Sequence, residues 1–261
     1  MSTKKVKPLL ALLLIGGLFV SAPAMAKKEL TFCVDNWEGL TNVDGTGSYS
    51  ETVKAVYEDE YKITIKIFPW ARAQKEFRNK KCDGLIAENK PDPIFAKPQI
   101  VLDALELQAY FLKGKTKFKG EKTLRNAQLA WLRGYNYHKL VDYPLHYTEF
   151  NSVHAGFKML EAQRFDIMLD YTYTFKDECK TSGADCAKID GAPSGIIERV
   201  YVIFHKTTKG KKLAQNWDEK MAVLLKAGKV QKIFEKYSQK FPINEVHLES
   251  KDQATREEIK P

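Results

Sequence analysis

Past its first 26 residues the chain has no run approaching 18 apolar residues, so no later segment is expected to cross a membrane. Cysteine is scarce, with four in 261 residues, and no C-x-x-C spacing or neighbouring histidine suggests a metal-thiolate site. His138, His146 and His154 stand eight apart, which is not the spacing of metal ligands on a helix and reads as surface or loop histidine. There is no G-x-S-x-G and no local Ser, His and Asp set, so nucleophilic hydrolysis has no signature. Gly45-x-Gly47 lacks the lysine and the further glycines of a phosphate cradle and reads as a plain loop. The expected catalytic set is empty, and no cofactor or metal is called for.

What is present first is an export signal. Lys4, Lys5 and Lys7 precede an apolar core from Leu9 to Val20 and an A-x-A cleavage signal at Ala24-Met25-Ala26. A signal peptide over 1–26 and a periplasmic product starting at Lys27 are expected. No cysteine at that boundary offers a lipid anchor. The remaining 235 residues suffice for two lobes with cores of their own. They carry 39 basic against 33 acidic residues, about +6, with lysine spread along the chain rather than clustered with aromatics. That pattern is a solvated basic surface, not a nucleic-acid face. In an oxidising compartment the four cysteines are expected as two disulfides. Cys33, in the first strand, would pair with Cys82 at the start of a neighbouring one, and Cys179 with Cys186 across the polar loop KTSGAD.

Two stretches set the architecture. In the first, Ile63, Ile65 and Ile67 alternate with polar residues as a strand, Pro69 opens a helix with Trp70, Ala73 and Phe77 on one face, and Cys82 to Ala87 is a second, apolar strand. In the second, Asn151 or Ser152 caps a helix carrying Val153, Phe157 and Leu160, and Arg164 to Leu169 supplies a strand. Around these units, Leu30 to Val34 is a strand ending in the turn Asp35 to Gly39. Ser48 or Ser50 caps a helix with Val53, Val56 and Tyr57, and two prolines interrupt structure from Asn89 to Pro93. Ala127 to Leu132 is a strand that stops at Arg133-Gly134-Tyr135-Asn136-Tyr137, and Arg199 to His205 is a returning strand. Two helices follow, lined by Leu213, Trp217, Met221 and Leu224 and by Val230, Ile233, Phe234 and Tyr237. The polar segment from Glu249 to Pro261 is expected to be disordered.

The signal segment, the helix ending in Lys80-Lys81-Cys82-Asp83-Gly84, the Arg133-Gly134 turn, Arg164-Phe165-Asp166 and the closing helices from Trp217 to Tyr237 together resemble the family 3 extracellular solute-binding proteins. The resemblance implies an α/β, two-lobed type II periplasmic-binding-protein fold with two interlobe crossing strands. Lobe 1 would comprise 27–105 and 200–248, lobe 2 would be 106–199, and 249–261 the tail. It also implies a monomer that is not membrane-embedded. Such a protein closes on a small-molecule ligand and presents it to an ABC permease or a membrane receptor. A few relatives on this scaffold are dehydratases or cell-wall lyases, for which Glu88 or Asp170 would be the acid/base candidates.

Two positions depart from the amino-acid binders of that family. The arginine that grips the ligand carboxylate is replaced by Phe95, and the aspartate that grips its amine by Tyr171. A free α-amino acid would lose its charge-assisted contacts, so a different small polar or aromatic ligand is expected. Its candidate contacts are Trp37, Trp70, Arg72, Glu88, Arg133, Tyr135, Asn136, Tyr137 and Tyr171, because ligands bind beyond the carboxyl ends of strands in open α/β sheets. Trp70 also reads as helix core, Arg72 and Arg133 as surface charge, and Glu88 as a solvated carboxylate.

Overall fold

The computed structural model describes residues 27–89 and 91–242, apart from the side chains of residues 172–174, 176 and 177. The expected signal segment and C-terminal tail lie outside them. Strand β1 (Lys28–Val34) pairs in parallel along its whole length with β2 (Tyr61–Ile67), and helix α1 (Ser48–Tyr57) makes the crossover. Neither Ser48 nor Ser50 caps α1. The cap position falls on Gly47, whose φ of 112° and 2.3 Å approach to the Leu40 carbonyl, measured to where a Cβ would sit, exclude any side chain there.

Helix α2 (Trp70–Arg78) begins one residue after Pro69, and its first free N–H is taken by a side chain from another element. Asp35, at the end of β1, accepts from the Trp70 amide at 2.8 Å. Strand β3 (Gly84–Glu88) then adds in parallel to β1. The short β4 (Phe95–Ala96) pairs with the far end of β9 (Ile189–His205).

The second half is built around β5 (Asp103–Leu112), β6 (Gln128–Leu132), β7 (His146–Phe150) and β8 (Ile167–Asp170), with a short turn of helix, α3 (Glu121–Leu124), before β6. Among the described residues the strand order is β2-β1-β3-β9-β5-β8-β6-β7. β9 joins the halves: its last residues pair with β3, while Ile189 to Val200 pair antiparallel with β5. These are the two crossing strands of a two-lobed α/β fold.

Helix α4 (Val153–Glu161) is capped by Ser152, whose Oγ accepts from the Ala155 amide at 3.2 Å. Helix α5 (Thr172–Ser182) occupies part of what reads in the sequence as a loop between the last two cysteines. Helices α6 (Thr208–Lys226) and α7 (Lys229–Lys236) return to the first lobe, and Trp217 is fully buried there with its indole N–H on the Ile100 carbonyl. Both disulfides pair as expected, Cys33 with Cys82 and Cys179 with Cys186, at Cα separations of 5.7 and 6.0 Å. The second ties the end of α5, rather than a loop, to the turn that follows it.

Among the described residues three apolar clusters form. One lies among α1, α6, α7 and the first-lobe strands, one under α4 and α5, and the third straddles the lobes, containing Trp70 and Phe77 of the first with Trp131 and Tyr135 of the second. Burial between the lobes therefore belongs to the fold itself.

Candidate functional site

The carboxyl ends of β1, β3, β6 and β8 converge on the gap between the lobes, as the rule for open α/β sheets requires. From the first lobe come Trp37, which follows β1, and Trp70 at the start of α2. Their ring centroids are 5.2 Å apart and their planes inclined at 49°. Asp35 fixes both, since the same carboxylate that holds the Trp70 amide belongs to the turn carrying Trp37.

A bulge in β3 aims the next two residues. Leu85 pairs with Ile203 but Glu88 pairs with Tyr201, so three steps on β3 match two on β9. Ala87 takes up the extra residue with φ of 69°. In consequence Ile86 and Ala87 enter the same core cluster, and Glu88 is turned toward α2, where it accepts from the Gln74 amide at 3.1 Å.

The second lobe answers with the turn after β6. The Trp37 indole N–H donates to the Tyr135 hydroxyl at 3.2 Å, and the Trp70 indole N–H to the Gly134 carbonyl at 3.1 Å. Asn89, just past β3, donates to the Tyr135 carbonyl at 2.6 Å. Gly134 permits this approach: with φ of 91° it brings the turn so close that a Cβ would stand 3.2 Å from Trp70 and 3.1 Å from Gln74.

At the centre is Glu198, on β9. It is 2% exposed and accepts from the Tyr171 hydroxyl and from the Asn89 amide. Burial pushes its carboxyl up to about 7, the two hydrogen bonds oppose that, and the charges of Asp170 and Glu88 add to it. Asp103, on β5, is likewise pushed up to about 7 by burial and accepts from Tyr49 at 2.8 Å. Burial also drives the Tyr135 and Tyr137 phenols well above their ordinary value, which keeps them neutral.

A cavity of about 20 Å³ remains between the lobes, the room of about one water molecule. Trp37, Tyr49, Trp70, Tyr135 and Tyr171 give it aromatic walls, with Leu40, Ala87 and Val200, and Asn89 and Glu198 are its polar groups. Among the described residues no lysine or arginine lines it.

Of the residues singled out in the sequence, Trp37, Trp70, Tyr135 and Tyr171 meet at this cavity. Tyr137 is fully buried behind Tyr135, with ring centroids 5.3 Å apart. Glu88 is 6% exposed and so is not the solvated carboxylate that the sequence also allows. Asn136 supports the turn by donating to the Gly134 carbonyl at 2.7 Å. Arg72 and Arg133 are not brought to the cavity. Arg72 is 63% exposed and 3.6 Å from Glu76, and Arg133 is 58% exposed and 3.9 Å from Glu149. Phe95 lies against Phe77 and His205 rather than in the gap. Sequence reasoning missed Glu198 and Asn89. The signal for the first was an acid, next to Arg199, inside the otherwise apolar run from Ile196 to Phe204.

No known family model matches the sequence, and no curated protein does. Solved structures do match in fold. A histidine kinase sensor domain similar to periplasmic binding proteins superposes with a TM-score of 0.65 at 13% identity, covering 81% of this chain and 96% of that one. A histidine-bound ABC-transporter substrate-binding protein from Streptococcus pneumoniae gives 0.62 at 16% identity, covering 80% and 92%. An ancestral arginine-binding protein gives 0.61 at 16% identity, covering 81% and 98%. The chain thus has the two-lobed fold of periplasmic binding proteins, and structures that share it include ABC-transporter substrate-binding proteins.

Proposed function

We propose that the protein is an exported solute-binding protein, working in the periplasm, that captures a small ligand between its lobes and delivers it to an ABC permease. The observation that carries this reading is the cleft itself. Side chains of both lobes, Trp37, Trp70 and Asn89 on one side and Tyr135 and Tyr171 on the other, line one cavity, and Asn89 and Tyr171 meet there on a buried carboxylate of a crossing strand. A ligand that contacts both walls stabilises the closed arrangement, and closure is the mechanism. The lobes would divide at about 105 and 199. No helix among the described residues is long and apolar enough to cross a membrane, which fits a carrier that moves between ligand and permease.

The ligand is not an ordinary α-amino acid in this reading, although fold neighbours are described as bound to histidine and arginine. What supports the departure is that Phe95 and Tyr171 replace, by the family resemblance, the arginine and aspartate that grip an amino-acid head group, and that among the described residues no lysine or arginine lines the cavity. Sensing is the second reading, favoured by the likeness to a kinase sensor domain. It predicts the same binding and a different membrane partner.

A thermal-shift screen of the purified protein against amino acids, organic acids, amines, sugars and peptides tests the proposal. A ligand at 100 times its Kd is expected to add about 2.7 kcal/mol of stability. Silence across the whole screen would overturn solute binding. Crosslinking the ligand-loaded protein in membranes, to a permease or to a kinase, separates transport from sensing.

A further inference from the structure

We propose that the solute is a small primary amine bound as its ammonium ion, held against the Glu198 carboxylate and the ring faces of Trp37 and Trp70, and carrying no carboxylate of its own. The inference rests on the solute-binding reading and names the chemical class of its ligand.

Charge is the first argument. Glu198 is buried at the centre of the cleft, and Glu88 and Asp170, both also buried, are near enough for their charges to act on it. Among the described residues nothing basic lines the cavity, and Arg72 and Arg133 are exposed and paired with Glu76 and Glu149. In the gap the Glu198 carboxylate would repel an anion, and among the described lining residues no cation stands ready to partner the carboxylate of a zwitterion. An ammonium ion is the complementary charge.

Hydrogen bonding narrows the class. The Glu198 oxygens take neutral donors, the Tyr171 hydroxyl and the Asn89 amide. An ammonium with three N–H donors makes charge-assisted bonds to the same oxygens, roughly twice as strong as neutral ones. A quaternary ammonium has no N–H to give them. The aromatic walls supply the rest. Both indoles have their N–H edges engaged across the interface, so what they offer a ligand is their faces, the surfaces a cation prefers.

The test is titration calorimetry on the purified exported protein at pH 8 with sets of matched skeleton: n-butylamine with butyrate and 1-butanol, and phenethylamine with 3-phenylpropionate, 2-phenylethanol and L-phenylalanine. At least one amine is expected to bind, ten or more times more tightly than every partner of its set. Glu198→Gln, which keeps the shape and can still bond Asn89 and Tyr171, is expected to weaken amine binding at least tenfold while melting no lower than wild type without ligand. A carboxylate or zwitterion that outbinds its amine would overturn the ligand class and leave solute binding standing. An alcohol that binds as well as its amine would overturn the role of charge without recourse to any variant. A folded Glu198→Gln protein that binds amines as wild type does would remove Glu198 from the site. Silence of these sets alone sinks this inference, whereas silence of the whole screen above sinks the binding reading beneath it.

Discussion

Glu198 and Asp103 stand on the two crossing strands, one under the ligand gap and one beneath Tyr49, and burial pushes both carboxyls up to about 7. The unfolded chain releases these protons near the ordinary values of 4.5 and 3.8, the folded chain near 7. Between those limits the folded state binds more protons, so its stability falls as pH rises. The contribution is complete below about pH 4 and lost above about pH 7. Glu198 is worth at most roughly 3 kcal/mol and Asp103 at most roughly 4 kcal/mol. The melting temperature is expected to be lower at pH 8 than at pH 5.5, and Glu198→Gln should shrink that difference. An unchanged difference in the variant would mean that Glu198 is not buried as described. Single residues also show what a sequence conceals. The aromatics at strand ends were legible because large rings beside turns have few structural reasons to be there. Arg72 was misplaced for a reason the sequence itself contains. Two residues turn an α-helix by about 200°, so a buried Trp70 sends Arg72 to the opposite face. Arg133 meets Glu149 on β7, a strand absent from the sequence reading, so its partner was not in view.

At the scale of elements, the turn after β6 and the bulge in β3 aim the site. Gly134 takes a left-handed conformation within van der Waals reach of α2, so Gly134→Ala is expected to strain the turn by about 1–2 kcal/mol and press on Trp70. Its ligand affinity should drop together with its denaturation midpoint, and a variant that binds normally would show that the lobes need not approach this closely. The disulfides differ in reach. Cys33–Cys82 spans 49 residues and Cys179–Cys186 only 7. By chain entropy their removal as double alanine variants should cost roughly 4 and roughly 2 kcal/mol, read as shifts in urea midpoint. The regular strands and helices of the first lobe were legible because period and turn residues agree there. The β3 bulge was not. Strict alternation would have put Ala87 and Glu88 on the wrong faces, and the extra residue is dictated by pairing with β9, more than 100 residues away. Helix α5 was hidden for a similar reason, since its polar sequence reads as loop until it packs on α4 through Cys179 and Phe175.

For the molecule as a whole, its four tryptophans divide by position. Trp131 and Trp217 are fully buried inside the lobes, while Trp37 and Trp70 face each other at the gap and reach across it. Any ligand that enters must disturb the second pair and leaves the first in place. Intrinsic fluorescence is therefore expected to change on binding, and a Trp37→Phe/Trp70→Phe protein should keep the emission of the buried pair while losing the ligand response. The pH dependence of that response follows from the groups around Glu198: Tyr171 and Asn89 donate to it, Tyr135 and Tyr137 lie behind, and Glu88 and Asp170 oppose its ionisation. An ammonium requires the ionised carboxylate, so amine affinity should rise from pH 6 to pH 8, whereas the ligand-free protein loses stability over much of the same range. Opposite slopes in one protein are the signature of a single buried acid serving both the fold and the ligand. A response that is flat with pH, with the melting temperature still falling, would separate the two roles and point to Asp103 alone as the titrating group of the fold.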